Sequence, residues 1–137
     1  MKNIGQVFLI DDDEIHNFLC ESVIRNEGFA SEVVSFQWAE EALEALRKVV
    51  QEAPESFPDV IFLDINMPGM DGWEFIEEYR RFPKELTDKC LLFVLSSAVD
   101  KKDIMHAKNL VEVQDFFSKP LTTEILEIIN EMYLQED

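Results

Sequence analysis

The chain has 137 residues, of which 47% are hydrophobic, and its 12 basic against 29 acidic residues give a formal net charge of −17. This length fits one domain over residues 1–137, and the apolar fraction supports a globular core rather than disorder. The charge disfavours direct binding to DNA, RNA or anionic membranes, although it permits a protein partner with a basic face. An acidic excess that serves only solubility is equally compatible with these numbers.

The sequence offers no segment for membrane insertion or secretion. Its apolar runs fall far short of the about 20 residues that span a bilayer. The N-terminal stretch "MKNIGQVFLIDDDE" lacks the long apolar core and cleavage site of a signal peptide. We therefore expect a cytoplasmic protein, in which Cys20 and Cys90 are reduced thiols of the core.

Short apolar runs alternate with helical patterns along the chain, which is typical of β-α units around a parallel sheet. The predicted strands cover residues 6–10, 31–36, 59–64, 90–97 and 115–119. The predicted helices cover residues 14–27, 39–51, 73–81, 101–109 and 122–134, and the glycines and proline of 65–72 predict a loop. We therefore predict an α/β fold, a doubly wound five-stranded parallel sheet with five helices.

Apolar spacing predicts which helix faces point inward. On the first helix this face comprises Ile15, Phe18, Leu19, Ser22 and Val23. On the second helix it comprises Ala42, Leu43, Leu46, Val49 and Val50, and on the last helix Ile125, Leu126, Ile128, Ile129, Met132 and Tyr133. Asp13 and either Thr122 or Thr123 are candidate N-caps. We expect solvated histidines at His16 and His106, and a partial core role for Trp38, Trp73 and Tyr79.

The predicted strands end in chemically complementary residues. The first ends in Asp11, Asp12 and Asp13, the third in Asp64, the fourth in Ser96 and Ser97, and the fifth in Lys119. Ligands of doubly wound sheets bind beside the carboxyl ends of the strands. Three converging carboxylates would raise one another's pKa values unless a cation neutralised them, and oxygen ligands favour Mg²⁺.

A hydroxyl and an ammonium beside such a site suit phosphoryl transfer, because the metal and the lysine offset charge on the transferring group. Each residue alone is weak support, since Asp commonly caps helices, Ser commonly lies in turns and Lys is commonly solvated. The sequence has no Gly-rich phosphate loop followed by Lys, so nucleotide binding is not indicated.

Four stretches, "FLIDDDE", "VIFLDINMPGMDG", "FVLSSA" and "FFSKP", resemble the receiver domain of two-component response regulators. They occur in the family's order and approximate spacing, and the resemblance covers essentially the whole chain. It implies the flavodoxin-like receiver fold of single-domain, chemotaxis-type regulators. It also implies a phosphorelay function, in which a phosphohistidine on a sensor histidine kinase or histidine phosphotransfer protein is the donor.

The resemblance implies a role for each strand-end residue. Asp64 would be the phosphoacceptor, and Asp12 and Asp64 would ligate Mg²⁺ directly, with Asp11 acting through water and the Asn66 backbone carbonyl as a further ligand. Lys119 would pair with the phosphoryl oxygens.

The resemblance also assigns the switch. The Ser96 hydroxyl would follow the phosphoryl group, Phe116 would be the aromatic switch residue, and the Lys119–Pro120 peptide would be cis. The family positions that tune hydrolysis fall on Asn66 and Ala98. The surface formed by the fourth helix, fifth strand and fifth helix should change on phosphorylation. We expect no output domain, so the protein would act on a separate, unidentified protein target and would catalyse only its own phosphorylation and dephosphorylation.

Two alternatives use the same residues. A haloacid-dehalogenase-type phosphatase would use Asp11 as nucleophile with Asp13, Ser96 and Lys119, but its further acidic pair is missing and "LDINMPGMDG" stays unexplained. A pseudo-receiver would be an interaction module that works without phosphate. Labelling of Asp64, of Asp11 or of neither residue distinguishes the three hypotheses.

Overall fold

The computed structural model describes residues 4–97 and 100–134; the Ala98 prediction lies outside them. The strands are β1 (Gln6–Ile10), β2 (Glu32–Phe36), β3 (Val60–Leu63), β4 (Leu91–Ser96) and β5 (Val113–Ser118). The helices are α1 (Glu14–Asn26), α2 (Ala39–Glu52), α3 (Gly72–Tyr79), α4 (Lys84–Thr87), α5 (Lys101–Lys108) and α6 (Thr123–Tyr133), and a 3₁₀ turn covers Pro54–Ser56.

The sheet is parallel throughout, with strand order β2-β1-β3-β4-β5. This order confirms the predicted doubly wound fold, and it places the switch in strand order at β1 and β3. The described residues contain six helices where five were predicted. The additional one, α4, is a single turn after Pro83, which is too short to show an apolar period in the sequence.

The sheet is covered on both faces, which explains its continuous apolar strands. Side chains alternate along β1, so Val7 and Leu9 face one layer while Phe8 and Ile10 face the other. The first layer packs on α1 and α6, and the second packs on α2 and α3. The inward face predicted for α2 is confirmed, with Ala42, Leu43 and Leu46 buried and Val49 and Val50 partly buried against them.

The inward face predicted for α1 is wrong for three of its five residues, whereas Ser22 is half-buried and Val23 packs partly buried against the core. Ile15, Phe18 and Leu19 are 72%, 68% and 51% exposed. The buried residues of this helix are His16, Asn17, Cys20 and Ile24. The buried face is the less apolar of the two, so apolar content does not decide the rotation of α1.

The predicted apolar stripe of α6 is too wide. Leu126 and Ile129 are buried, whereas Ile128 and Met132 are 40% and 65% exposed. The predicted caps are confirmed: the Asp13 carboxylate accepts from the backbone N–H groups of Ile15 and His16, and the Thr122 hydroxyl accepts from the Ile125 N–H group.

Three aromatic residues and the cysteines were predicted to lie in or near the core. Tyr79 is buried and Trp73 is half-buried, but Trp38 is 45% exposed, so the prediction is wrong for Trp38. Cys20 and Cys90 are buried free thiols, as predicted, and burial raises the pKa of each to about 12. Among the described residues, every helix is too short or too polar to cross a bilayer.

Candidate functional site

Three carboxylates converge where β1 and β3 end. Asp11 and Asp12 follow β1, Asp64 follows β3, and one oxygen of each lies within 4.8 Å of one oxygen of each of the others. The convergence follows from strand pairing, since the Asp64 N–H group donates to the Ile10 carbonyl at 2.9 Å. Asp11 and Asp64 are buried, while Asp12 is exposed, so the cluster opens to solvent on the Asp12 side.

Lys119 reaches the cluster from the end of β5. Its backbone N–H group donates to the Ser96 carbonyl at 3.0 Å, which keeps the lysine beside the end of β4. Its Nζ lies 2.6 Å from Asp11 Oδ2 and 3.2 Å from Asp64 Oδ2. The Lys119–Pro120 peptide is cis. The ammonium thus bridges two of the three carboxylates.

The loop after Asp64 is held tightly against the start of α3. Asp64 Oδ1 accepts from the Asn66 N–H group at 3.2 Å, and the Gly72 N–H group donates to the Ile65 carbonyl at 3.1 Å. A Cβ on Gly72 would lie 2.6 Å from Ile65 Cα and 2.8 Å from the Asp64 carbonyl oxygen. Gly72 therefore permits the close approach that places the Asp64 carboxylate.

The two buried carboxyl groups of the site have pKa values that are shifted in opposite directions. Burial acts to raise the pKa of Asp11, but hydrogen bonds from His16, Lys119 and the Asp13 backbone outweigh it and hold that pKa below 3.8. Burial raises the pKa of Asp64 above 3.8; Lys119 opposes this rise and Asp11 adds to it. Burial acts to lower the pKa of Lys119, but Asp11 and Asp64 together raise it, so the ammonium is retained.

Ser96 and Phe116 lie on the strands that lead to this edge. Ser96 is fully buried, and its Oγ has no hydrogen-bond partner within residues 4–97 and 100–134. Phe116 pairs with Val94 across the β4–β5 ladder. It is half-buried and lines a surface groove of about 500 Å³ between α5 and β5. Asn66 is exposed beside Asp64.

Sequence reasoning missed two residues of α1. His16 was predicted to be a solvated histidine, which is wrong: it is 8% exposed, and its Nδ1 lies 2.8 Å from Asp11 Oδ2. Asn17 is also buried, and its Nδ2 donates to the Asp11 carbonyl at 2.8 Å. The available signal was the four-residue spacing of His16, Cys20 and Ile24, which a hydrophobicity pattern that treats histidine as polar does not register. His106, predicted to be solvated, is exposed and stacks on Trp73 with ring centroids 4.0 Å apart.

The donors around Asp11 limit what this carboxylate can do. Oδ2 receives both Lys119 and His16, and Oδ1 accepts from the Asp13 N–H group at 2.9 Å. A carboxylate has about four lone-pair positions, so Asp11 has little capacity left for a direct metal bond. Asp13 caps α1, which disfavours the phosphatase hypothesis, in which Asp13 would act beside the Asp11 nucleophile.

Comparison with known sequences identifies related proteins. The model of the response regulator receiver domain family matches residues 7–130. Hybrid signal transduction histidine kinase L of Dictyostelium discoideum is 31% identical over 93% of this chain, and sporulation initiation phosphotransferase F of Bacillus subtilis is 25% identical over 94% of this chain and 93% of its own length. The chain spans only 7% of hybrid kinase L and 10% of the related hybrid kinase C.

Solved structures show the same fold. A two-component response regulator from Cytophaga hutchinsonii is 33% identical, with a TM-score of 0.89 over 98% of this chain and 100% of that one. The phosphorylated cyanobacterial phytochrome response regulator RcpA is 29% identical, with a TM-score of 0.77 over 96% of this chain and 94% of that one. With the family model, the fold and the converging strand-end residues in agreement, this chain belongs to the response regulator receiver domain family of two-component signalling.

Proposed function

We propose that residues 1–137 act as one receiver unit in which Asp64 accepts a phosphoryl group from a phosphohistidine of a sensor histidine kinase or a histidine phosphotransfer protein. The P–N bond to the donor histidine breaks as a P–O bond to the Asp64 carboxylate forms, and the donor nitrogen keeps the electron pair. One observation carries this proposal: Asp64 lies within 4.8 Å of two further carboxylates and 3.2 Å from the Lys119 ammonium.

The carboxylate cluster suits a hard divalent cation. Its donors are oxygens, and their mutual repulsion is relieved when a cation binds. Asp12 and Asp64 would hold Mg²⁺ directly with the Asn66 carbonyl, and Asp11, whose oxygens already accept three hydrogen bonds, would act through a water. Bound there, Mg²⁺ supplies positive charge to the phosphoryl oxygens.

Lys119 and Ser96 supply the remaining contacts to the phosphoryl group. The Lys119 ammonium now shared by Asp11 and Asp64 would pair with a phosphoryl oxygen. Ser96 is suited to donate its hydroxyl hydrogen, since its buried Oγ has no partner in the part of the chain that the structure describes. Leaving such a group unpaired is unfavourable, so a new acceptor attracts it.

The output is a change in a protein-binding surface. Movement of Ser96 toward the phosphoryl group would vacate space that Phe116, one strand away on β5, would fill. The surface formed by α5, β5 and α6 would change as a result; α5 and α6 are the fourth and fifth of the predicted helices. Shifting the population from mostly inactive to mostly active takes about 5.5 kcal/mol of differential stabilisation. The target is a protein rather than DNA, in keeping with the net charge of −17.

The exposed apolar side chains of α1 provide a surface on which the phosphodonor protein would dock. Ile15, Phe18 and Leu19 are all more than half exposed, and they lie on the helix whose first turn follows the Asp11–Asp12 pair. Exposed apolar side chains that lie together are typical of a protein-binding surface. Phe18→Ala should slow transfer from a donor protein while leaving phosphorylation by acetyl phosphate unchanged. Val111→Ala, which removes another exposed apolar side chain, is the control.

Chemical labelling tests the central proposal. The protein is incubated with acetyl phosphate and Mg²⁺, and the modified residue is located by mass spectrometry after reduction of the acyl phosphate. Asp64 should carry the label, and Asp64→Asn should remain unlabelled. Labelling of Asp11 would support the phosphatase chemistry instead. Complete absence of label on folded wild-type protein would support the phosphate-independent module.

A further inference from the structure

Two consecutive residues of α1 hold Asp11 in place through hydrogen bonds. His16 Nδ1 lies 2.8 Å from the carboxylate oxygen Oδ2, and Asn17 Nδ2 donates to the backbone carbonyl at 2.8 Å. Both side chains are buried, at 8% and 5% exposure. Asp11 is therefore restrained at its side chain and its backbone by a single helical turn, independently of Lys119.

The direction of the His16 hydrogen bond follows from its surroundings. An ionised carboxylate only accepts hydrogen bonds, so Nδ1 must carry the hydrogen. Cys20 Sγ lies 3.6 Å from Nδ1 and 3.5 Å from Nε2, so the thiol packs against the ring without distinguishing its two nitrogens. The contact with Asp11 therefore places a hydrogen on Nδ1 of His16.

Lys119 and His16 share the same oxygen of Asp11, at 2.6 Å and 2.8 Å. The two donors differ in what holds them. Lys119 also contacts Asp64 and would turn to the phosphoryl oxygens during transfer, whereas His16 is fixed in α1 and packs on Cys20. When Lys119 turns away, His16 is the side chain that keeps a hydrogen bond on Asp11 Oδ2.

We propose that His16 is a positioning residue, whose Nδ1–H group holds the Asp11 carboxylate in the orientation that supports the cation site. This inference rests on the proposed function, because it concerns the same Mg²⁺ site. Outer-shell hydrogen bonds of this kind orient the groups nearest a metal, and their loss typically weakens metal binding by about 10- to 100-fold. Since Asp11 would act through a water, we expect a loss of about tenfold, at the low end of that range.

Two variants of His16 separate the hydrogen bond from the volume of the ring. His16→Leu removes the donor and keeps an apolar side chain against Cys20. His16→Asn keeps a planar N–H donor at about the position of Nδ1. His106→Leu is the matched control, because it removes the other histidine of the chain, which is exposed on α5.

Mg²⁺ affinity, measured by calorimetry, is the first readout. We expect His16→Leu to bind Mg²⁺ about tenfold more weakly, His16→Asn to recover most of the affinity, and His106→Leu to match wild type. If His16→Leu binds Mg²⁺ as tightly as wild type, or if His16→Asn binds no better than His16→Leu, the inference is overturned. If wild type itself binds no Mg²⁺, the proposed function fails and the inference fails with it.

A second measurement uses wild-type protein, so it does not depend on whether the variants fold. The ¹⁵N shifts of the imidazole ring report which nitrogen carries the hydrogen in wild-type protein. We expect the Nδ1–H form for His16, and His106 supplies an internal comparison from an exposed ring. Finding no hydrogen on Nδ1 of His16 would overturn the inference even if Mg²⁺ binding and Asp64 labelling both succeed.

Discussion

Asp64→Asn should stabilise the protein when no divalent cation is present. The substitution keeps the shape of the side chain and removes one of three negative charges that lie within 4.8 Å of one another. It also removes the ion pair with Lys119, but that ammonium keeps its 2.6 Å contact with Asp11. The neutral amide approximates the protonated carboxyl, which the fold favours, because burial raises the pKa of Asp64.

The magnitude follows from the opposing contacts. At an effective dielectric constant of about 20, attraction between Asp64 and Lys119 at 3.2 Å amounts to about 5 kcal/mol. The oxygens of Asp11 and Asp12 lie no more than 4.8 Å from that of Asp64, so repulsion from each amounts to at least about 3.5 kcal/mol before solvent screens the exposed Asp12. Attraction and repulsion nearly cancel, so burial of the charge decides the sign. We expect the substitution to raise the free energy of unfolding by about 1–2 kcal/mol at pH 7.

The sign of the pH dependence follows from the raised pKa. Protonated Asp64 favours folding below pH 3.8, and this contribution is lost as the pH rises through the higher pKa of the folded state. The advantage of Asp64→Asn should therefore be largest near neutral pH and shrink toward pH 3.8. The structure-independent expectation, in which loss of an ion pair destabilises the protein, has the opposite sign.

Urea unfolding at pH 7, with chelator and then with Mg²⁺, measures this effect. At a concentration ten times its dissociation constant, Mg²⁺ should stabilise wild type by about 1.4 kcal/mol and Asp64→Asn by much less. The stability advantage of Asp64→Asn over wild type should therefore shrink or change sign when Mg²⁺ is added. If Asp64→Asn is less stable than wild type in chelator, the balance of charges described above is wrong.

Four further substitutions test other parts of the site. Asp12→Ala should weaken Mg²⁺ binding at least about tenfold in calorimetry, whereas Asp13→Ala should leave it nearly unchanged and lower stability by about 1 kcal/mol through loss of the cap; comparable losses of affinity would contradict this division of roles. Gly72→Ala should lower stability by about 2–3 kcal/mol in urea unfolding and slow Asp64 labelling, since its Cβ would lie 2.8 Å from the Asp64 carbonyl oxygen. Phe116→Ala should reduce the change in hydrogen exchange at α5 and β5 that beryllofluoride induces, while leaving Asp64 labelling intact; equal loss of both would remove Phe116 from the switch.

Much of the fold follows from local pattern. Apolar strands without alternation predict a sheet covered on both faces, and alternation of strands with helices predicts a parallel sheet, as the order β2-β1-β3-β4-β5 confirms. The cap at Asp13 was also predictable, because capping needs only an acid before a helical pattern. α4 was not predictable, because four residues after Pro83 carry no period.

The convergence of the strand-end residues could also be predicted from the sequence. In a parallel sheet the carboxyl ends of neighbouring strands meet at one edge, so residues more than 50 positions apart, such as Asp11 and Asp64, are brought together by topology alone. The sequence therefore predicted which oxygens and which ammonium would share a site. It did not predict that a second donor, His16, would share the Asp11 carboxylate with Lys119.

The contact between His16 and Asp11 depends on the rotation of α1 against the sheet. The sequence favoured Ile15, Phe18 and Leu19 as the inward face because they are apolar, but the packed helix exposes them and buries His16 and Asn17 beside Asp11. The spacing of His16, Cys20 and Ile24 could have indicated a buried face, but the contact with Asp11 depends on a partner outside the helix, which periodicity within one helix does not identify. The amino-acid sequence determined the sheet and the residues at its edge; only tertiary packing determined which side of α1 completes the site and which side is left exposed.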